Sequence, residues 1–194
     1  GICCGRPMLT AGRKDAAMHM IEKNTEIIRT SGASVLLLSC PICYRIFKQD
    51  YKLAGIEILH HSEYIDRLIS EKKLDISGTG LRYAYHDPCE LGRGCGIYEE
   101  PRNVVSAAGV LVEGAKKGKE SICCGGSLGS LTLSDEQRKR LAENALGNLT
   151  ADSPDAVVTA CPLCKNTFNR YAAVPVLDIA EIVARASGGN NIKQ

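Results

Sequence analysis

The sequence predicts an α/β fold: two pseudo-repeated βα lobes with mainly parallel sheets, the first lobe lacking its N-terminal part. Three observations predict it. Strand-sized apolar runs such as Val35-Leu36-Leu37-Leu38 alternate with stretches of helical periodicity, the order that builds parallel sheets. No run approaches the roughly 18 apolar residues of a membrane-spanning helix. A set of cysteine motifs is written twice: Ile2-Cys3-Cys4-Gly5 matches Ile122-Cys123-Cys124-Gly125, and Cys40-Pro41-Ile42-Cys43 matches Cys161-Pro162-Leu163-Cys164.

The elements follow in order. Residues 13–31 read as a helix, with Ala17, Met18, Ile21, Ile27 and Ile28 near helical spacing and Gly32 ending it. Residues 34–39 read as a buried strand. Cys40-Pro41 turns into a short helix through Phe47 and Tyr51, Pro being tolerated in a first helical turn. A strand over 56–59 and a helix over 63–72 close the first half, and 74–80 form a linker. The second half brings a strand over 81–85 ending at His86-Asp87-Pro88-Cys89, a helix from Pro101 to Ala108, and a strand over 110–113. Ser134 with Gln137 three residues on predicts a capping box for a helix to about Leu149. A strand over 156–160, another over 174–177 and a helix over 179–186 follow, and the tail 188–194 reads as a frayed end.

The repeat is more than its cysteines. Phe47 matches Phe168, Ile58-Leu59 matches Val176-Leu177, Glu63 matches Glu181, and Arg67 matches Arg185. An internal duplication of this kind sets the units as 1–77 and 78–194.

Ten cysteines in 194 residues decide the chemistry. Neighbouring Cα atoms lie about 3.8 Å apart, below the usual span of a disulfide, so Cys3 is a poor partner for Cys4 and Cys123 for Cys124. Clustered thiols in a chain of this length point to metal in a reducing compartment rather than to a disulfide scaffold. The pairs Cys40 and Cys43, and Cys161 and Cys164, fall at strand ends and helix starts, where the helix dipole favours thiolates. The second half offers five ligands, Cys89, Cys123, Cys124, Cys161 and Cys164. A tetrahedral zinc or an ordinary iron–sulfur cube needs four.

The order of Cys89, Cys-Cys-Gly and Cys-Pro-x-Cys, with "YHDPCELGRG" at 85–94, "GIYEEPR" at 96–102 and "CCGRP" at 3–7, resembles the CCG or cysteine-rich domain. That domain occurs in heterodisulfide reductase catalytic subunits. Similar domains occur in iron–sulfur subunits of anaerobic glycerol-3-phosphate dehydrogenase, in lactate- and glycolate-oxidising enzymes and in sulfate-reducer membrane redox complexes. The resemblance implies that Cys89, Cys123, Cys124, Cys161 and Cys164 hold a noncubane 4Fe–4S cluster. In the first half Cys3, Cys4, Cys40 and Cys43 lack an upstream cysteine. By the step of 34 between Cys89 and Cys123, its counterpart falls before residue 1. The readings are a fragment, a naturally split subunit, or a first site that binds zinc or a four-cysteine cluster. A fragment or C-terminal portion is expected, with a second iron–sulfur cluster or zinc at the first site.

Other residues carry weaker signals. Cys95 lies outside both sets and reads as an unliganded thiol. His86, three residues before Cys89, is a candidate proton donor because histidine titrates near neutrality. His60-His61, as adjacent strand-end residues, should face opposite ways and not share a metal. Gly92-Arg93-Gly94 and Gly125-Gly126 match no phosphate loop. They are expected to let backbone amides approach a cluster. Lys116-Lys117-Gly118-Lys119 reads as a solvated loop.

The first functional expectation, implied by the resemblance, is redox catalysis on a disulfide or thiol substrate in one-electron steps. The second is an electron relay of a flavin-linked hydroxy-acid or glycerol-phosphate dehydrogenase feeding quinone. The third is a structural zinc module. Other redox subunits are the expected partners, and no nucleic acid is. The expected place is the cytoplasm, with docking at the inner face of a membrane left open.

Overall fold

The computed structural model describes residues 3–126 and 132–188. Gly1-Ile2 and the predicted frayed tail after Gly188 lie outside them. In the first half a short helix α1 (Arg6–Thr10) leads to α2 (Lys14–Thr30), strand β1 (Val35–Leu38), α3 (Pro41–Gln49), β2 (Glu57–His60) and α4 (His61–Ser70). The second half runs β3 (Arg82–His86), α5 (Gly92–Cys95), α6 (Glu99–Ala108), β4 (Val110–Val112), a 3₁₀ turn at Gly118–Glu120, α7 (Asp135–Thr150), β5 (Ala156–Thr159), α8 (Pro162–Phe168), β6 (Val176–Asp178) and α9 (Ile179–Ala186).

Among the described residues every strand pairing is parallel. β1 pairs β2, with Leu36 opposite Ile58, and the second sheet has the order β4-β3-β5-β6. The duplication is visible in space, since β1-α3-β2-α4 and β5-α8-β6-α9 are the same unit built twice. The matched glutamates explain part of it. Glu63 accepts from the His60 amide at 2.8 Å and Glu181 from the Asp178 amide at 2.6 Å, each closing a capping box at the start of α4 or α9. The predicted box of Ser134 and Gln137 also forms.

The main core joins the halves. Tyr83, Tyr85, Ala156, Val158 and Leu177 from the four-stranded sheet pack on Val104, Val105, Ile179 and Ile182, with Leu38, Ile58, Ile65 and Ile69 of the first half against them. Burial of such a side chain is worth about 1.5–3 kcal/mol, so this face fixes how the two βα units sit together. A second core over the other face of the four-stranded sheet includes Cys124, Cys161 and Cys164.

Two expectations change. The strand over 34–39 is not buried: Val35 is 38% and Leu37 47% exposed. Their counterparts by the repeat, Ala156 and Val158, are buried because β3 and α6 cover them, and β1 has only β2 beside it among the described residues. Gly92 serves packing, since a Cβ there would meet Cε1 of the Tyr98 ring at 2.5 Å.

Candidate metal centre

Both sheets send their carboxyl ends to the cysteines, where open α/β sheets gather ligands. β1 runs into Cys40 and β5 into Cys161, each the N-cap of the following helix with proline in its first turn. The Cys-Cys pairs arrive on loops that turn sharply at Gly5 and Gly125. Both glycines have positive φ, +92° and +76°, a conformation that costs other residues strain. This turn lets one stretch of backbone present two sulfurs.

In the second half the sulfurs converge. Cys124 Sγ lies 3.1 Å from Cys164 Sγ. Cys89 and Cys123, Cys123 and Cys124, and Cys161 and Cys164 lie close enough to shift one another's thiols. All five predicted ligands therefore form one connected set. A small cavity lies among them, lined by Cys89, Cys124, Cys161 and Cys164 with Pro88, Glu90, Leu163 and Ile42. The Gly125 and Gly126 amides each donate to a sulfur at 3.4 Å, Cys123 and Cys124 respectively.

Protonation alternates around this set. Hydrogen bonds from Cys124 and Cys89 draw the Cys123 thiol far down, while the same contact pushes Cys124 up to about 12. The bond to Cys123 raises Cys89, the bond to Cys124 raises Cys164, and the Cys164 thiol lowers Cys161. Thiols this close must share protons because several bare thiolates would repel one another. A cation is the natural replacement for those protons.

His86 completes the set. A ring nitrogen of His86 and the sulfurs of Cys124 and Cys164 all lie within 4.8 Å of one another. Nε2 is buried without a hydrogen-bond partner, an arrangement that normally costs free energy and that a bound group would relieve. Burial lowers its pKa to about 4, so in the metal-free chain the imidazole is neutral at pH 7. Phe168 holds the ring edge-on at 4.8 Å between centroids.

The first-half cysteines also meet. The neighbouring Cys43 thiol lowers Cys4 to about 6 and Cys40 to about 7 and is itself raised by them, and Cys3 also acts to lower Cys4. Sequence reasoning missed the residues that brace this loop. Asn24 Nδ2 donates to Cys3 O and Tyr51 OH donates to Cys4 O, each at 3.1 Å. Asn24 also donates to Tyr51. Only its place on the inward stripe of α2 could have marked Asn24.

The two sites adjoin. Ile42, between Cys40 and Cys43 in sequence, lines the second-half cavity, and the Cys40 charge acts on Cys161. Cys95 stands apart, half-buried against the main core. His60 and His61 do not face opposite ways. Their ring centroids lie 4.4 Å apart because His60 caps α4 and His61 is its first residue. Both rings keep a buried Nε2 with no hydrogen-bond partner. Lys117 of the basic run pairs with Glu113.

The family model CCG, described as a cysteine-rich domain, matches residues 1–48 and 83–169. An EtfAB:quinone oxidoreductase of Syntrophomonas wolfei is 31% identical over 95% of this chain and 28% of its own length. One subunit of the dihydromethanophenazine:CoB–CoM heterodisulfide reductase of Methanosarcina acetivorans is 32% identical over 96% of this chain and 49% of its own. One subunit of the fumarate reductase (CoM/CoB) of Methanothermobacter marburgensis is 31% identical over 95% of this chain and 38% of its own. The chain thus spans between a quarter and half of these relatives.

Proposed function

Because the chain belongs to the cysteine-rich CCG domain family, we propose that it is an iron–sulfur redox domain of a heterodisulfide-reductase-like system. Cys89, Cys123, Cys124, Cys161 and Cys164 hold a five-cysteine noncubane 4Fe–4S cluster in this reading. Cys3, Cys4, Cys40 and Cys43 hold a second iron–sulfur cluster or zinc, and the halves 1–77 and 78–194 each supply one site. One observation carries the reading: the second-half thiols gather around one small cavity lined by Cys89, Cys124, Cys161 and Cys164, with Cys124 and Cys164 at 3.1 Å. The orphaned Nε2 of His86 supports a group bound there.

A bound cluster supplies single electrons. The chain's own residues supply the rest. Ile42, Pro88 and Leu163 give the cavity an apolar wall suited to sulfur. The amides of Gly125 and Gly126 donate toward thiolate charge, which tunes a potential. Cleaving a disulfide to two thiols takes two electrons and two protons. In the proposal the electrons come from another redox subunit and both protons come from solvent, with His86, beside the sulfurs, the candidate to relay one of them.

A second reading is favoured by the relative named as a quinone oxidoreductase: the domain relays electrons from a flavin-linked dehydrogenase toward quinone and reduces no disulfide. In both readings other redox subunits are the partners. Among the described residues no helix is long and apolar enough to cross a membrane.

The test is anaerobic. Iron, acid-labile sulfide and zinc are counted per chain for the native protein and for a Cys123→Ser, Cys124→Ser variant. Iron and sulfide in equal amounts, lost from the second site in the variant, are expected; zinc alone sinks both redox readings. A cluster spectrum that changes when a disulfide is added under oxidising conditions selects catalysis, and an unchanged one selects the relay.

A further inference from the structure

Asp87 stands two residues before Cys89 and is 4% exposed. Arg102 of α6 takes both its carboxylate oxygens, Nη1 to Oδ1 and Nη2 to Oδ2, each at 2.8 Å. The Gly118 amide donates to Oδ2 at 2.8 Å, and Ser121 Oγ donates to the Asp87 carbonyl at 3.2 Å. Arg102 is held in turn: Nε donates to Glu113 and Nη1 to the Tyr98 carbonyl, both at 2.8 Å, and the guanidinium lies 5.5 Å from the Tyr85 ring centroid. Arg93 Nη1 donates to the carbonyls of Ser121 and Lys119.

Together these bonds tie the turn bearing Cys89 to segment 118–121, which leads directly into Ile122-Cys123-Cys124. The two stretches are more than 30 residues apart in sequence and share no strand pairing across this gap. A buried charge pair is a costly way to gain stability and a good way to fix geometry, and a bidentate fork fixes both distance and angle.

We infer that Asp87 and Arg102 are positioning residues that set the separation of Cys89 from Cys123 and Cys124, and so decide whether the fifth thiolate reaches the bound group. The inference deepens the metal reading above, but its first test does not need metal. On metal-free protein, a dithiol-bridging reagent such as dibromobimane joins neighbouring thiols, and peptide mapping reports the Cys89–Cys123 link separately from the Cys4–Cys43 link. In Asp87→Asn and Arg102→Gln the Cys89–Cys123 yield should fall several-fold while the Cys4–Cys43 yield holds. Arg102→Lys, which keeps the charge but not the fork, should fall between them and the native protein. It is also the mild variant should the others not fold.

An unchanged Cys89–Cys123 yield in folded variants overturns the inference. A parallel fall in both links does so too, because it means general loosening. On iron-loaded protein the expected companion is a shifted reduction potential in Arg102→Lys. A native protein that takes up no iron would sink the metal reading and leave the cross-linking result to stand or fall by itself.

Discussion

Arg45 Nη1 and Glu90 Oε2 meet at 3.1 Å across the two halves of the chain. Arg45 stands two residues after Cys43 and Glu90 directly after Cys89, so this ion pair ties the two cysteine sites to one another. The partners keep 33% and 26% of their side-chain exposure, which leaves the pair screened and worth at most about 1 kcal/mol. Arg45→Ala and Glu90→Ala should each lower the melting temperature by no more than about 2–4 °C. The double variant should lose little more than either single one, and a fully additive thermodynamic cycle would show that the two side chains do not interact.

The cysteines divide into a sharing set and a bystander. Serine at Cys89, Cys123, Cys124, Cys161 or Cys164 should each reduce the iron held by the second site, because every one of them lies close enough to another member to shift its thiol. Cys95→Ser should leave metal content unchanged, since that thiol packs against the main core instead. Iron loss in Cys95→Ser equal to that in Cys89→Ser would move Cys95 into the site.

The paired capping boxes predict equal costs at equivalent positions. Glu63→Ala and Glu181→Ala each remove an acceptor from a helix-start amide, that of His60 or Asp178. Each should cost about 1 kcal/mol of unfolding free energy. Glu181 also holds Lys165, a half-exposed pair of small value, so its variant should be only slightly worse. Urea unfolding of the two single variants checks this.

Much of the fold was legible because the chain states it twice. The motif steps located β1, β5 and the helices after them, and Ser134 with Gln137 located the start of α7. What stayed hidden was context. The apolar run 35–38 reads the same whether or not a neighbour covers it, so its exposure could not be read from its residues. The ligand cysteines were legible as a spacing pattern. Asp87 with Arg102, Arg45 with Glu90, and Asn24 were not, because their meaning lies in partners 15 to 45 residues distant. His60 and His61 misled because a strand-to-helix junction places successive side chains by cap geometry, not by strand alternation.

The covered and uncovered strands make that point measurable. Leu37 and Val158 are equivalent in the repeat, yet Leu37 is 47% exposed and Val158 fully buried. Leu37→Ala should therefore cost less than about 1 kcal/mol, and Val158→Ala about 2 kcal/mol. Denaturant midpoints of the two variants, read side by side, should differ clearly. Equal losses would mean that the exposed face of β1 is covered in solution.

Buried histidines weaken the metal-free protein in acid. Burial lowers His60 to about 3 and His86 to about 4, and lowers His61 as well, while in the unfolded chain each titrates near 6.5. As pH falls below about 6.5 the unfolded state takes up protons that the native state refuses, so stability falls with pH. This loss begins at the unfolded pKa and ends only when the folded value is passed. Each such histidine contributes a slope approaching about 1.4 kcal/mol per pH unit. Carboxylates such as Glu113 and Glu181, held low in the fold, weigh mainly near their unfolded pKa of about 4.3. Thiols held low in the fold, Cys123 and Cys4, add to the slope between about pH 6.5 and 4.5, so the histidine share is read as a difference between variants. His60→Asn keeps a helix-capping side chain and removes one titrating group. It should lower the slope of unfolding free energy against pH by about one proton, and a slope equal to that of the native protein would show that His60 takes up its proton without unfolding.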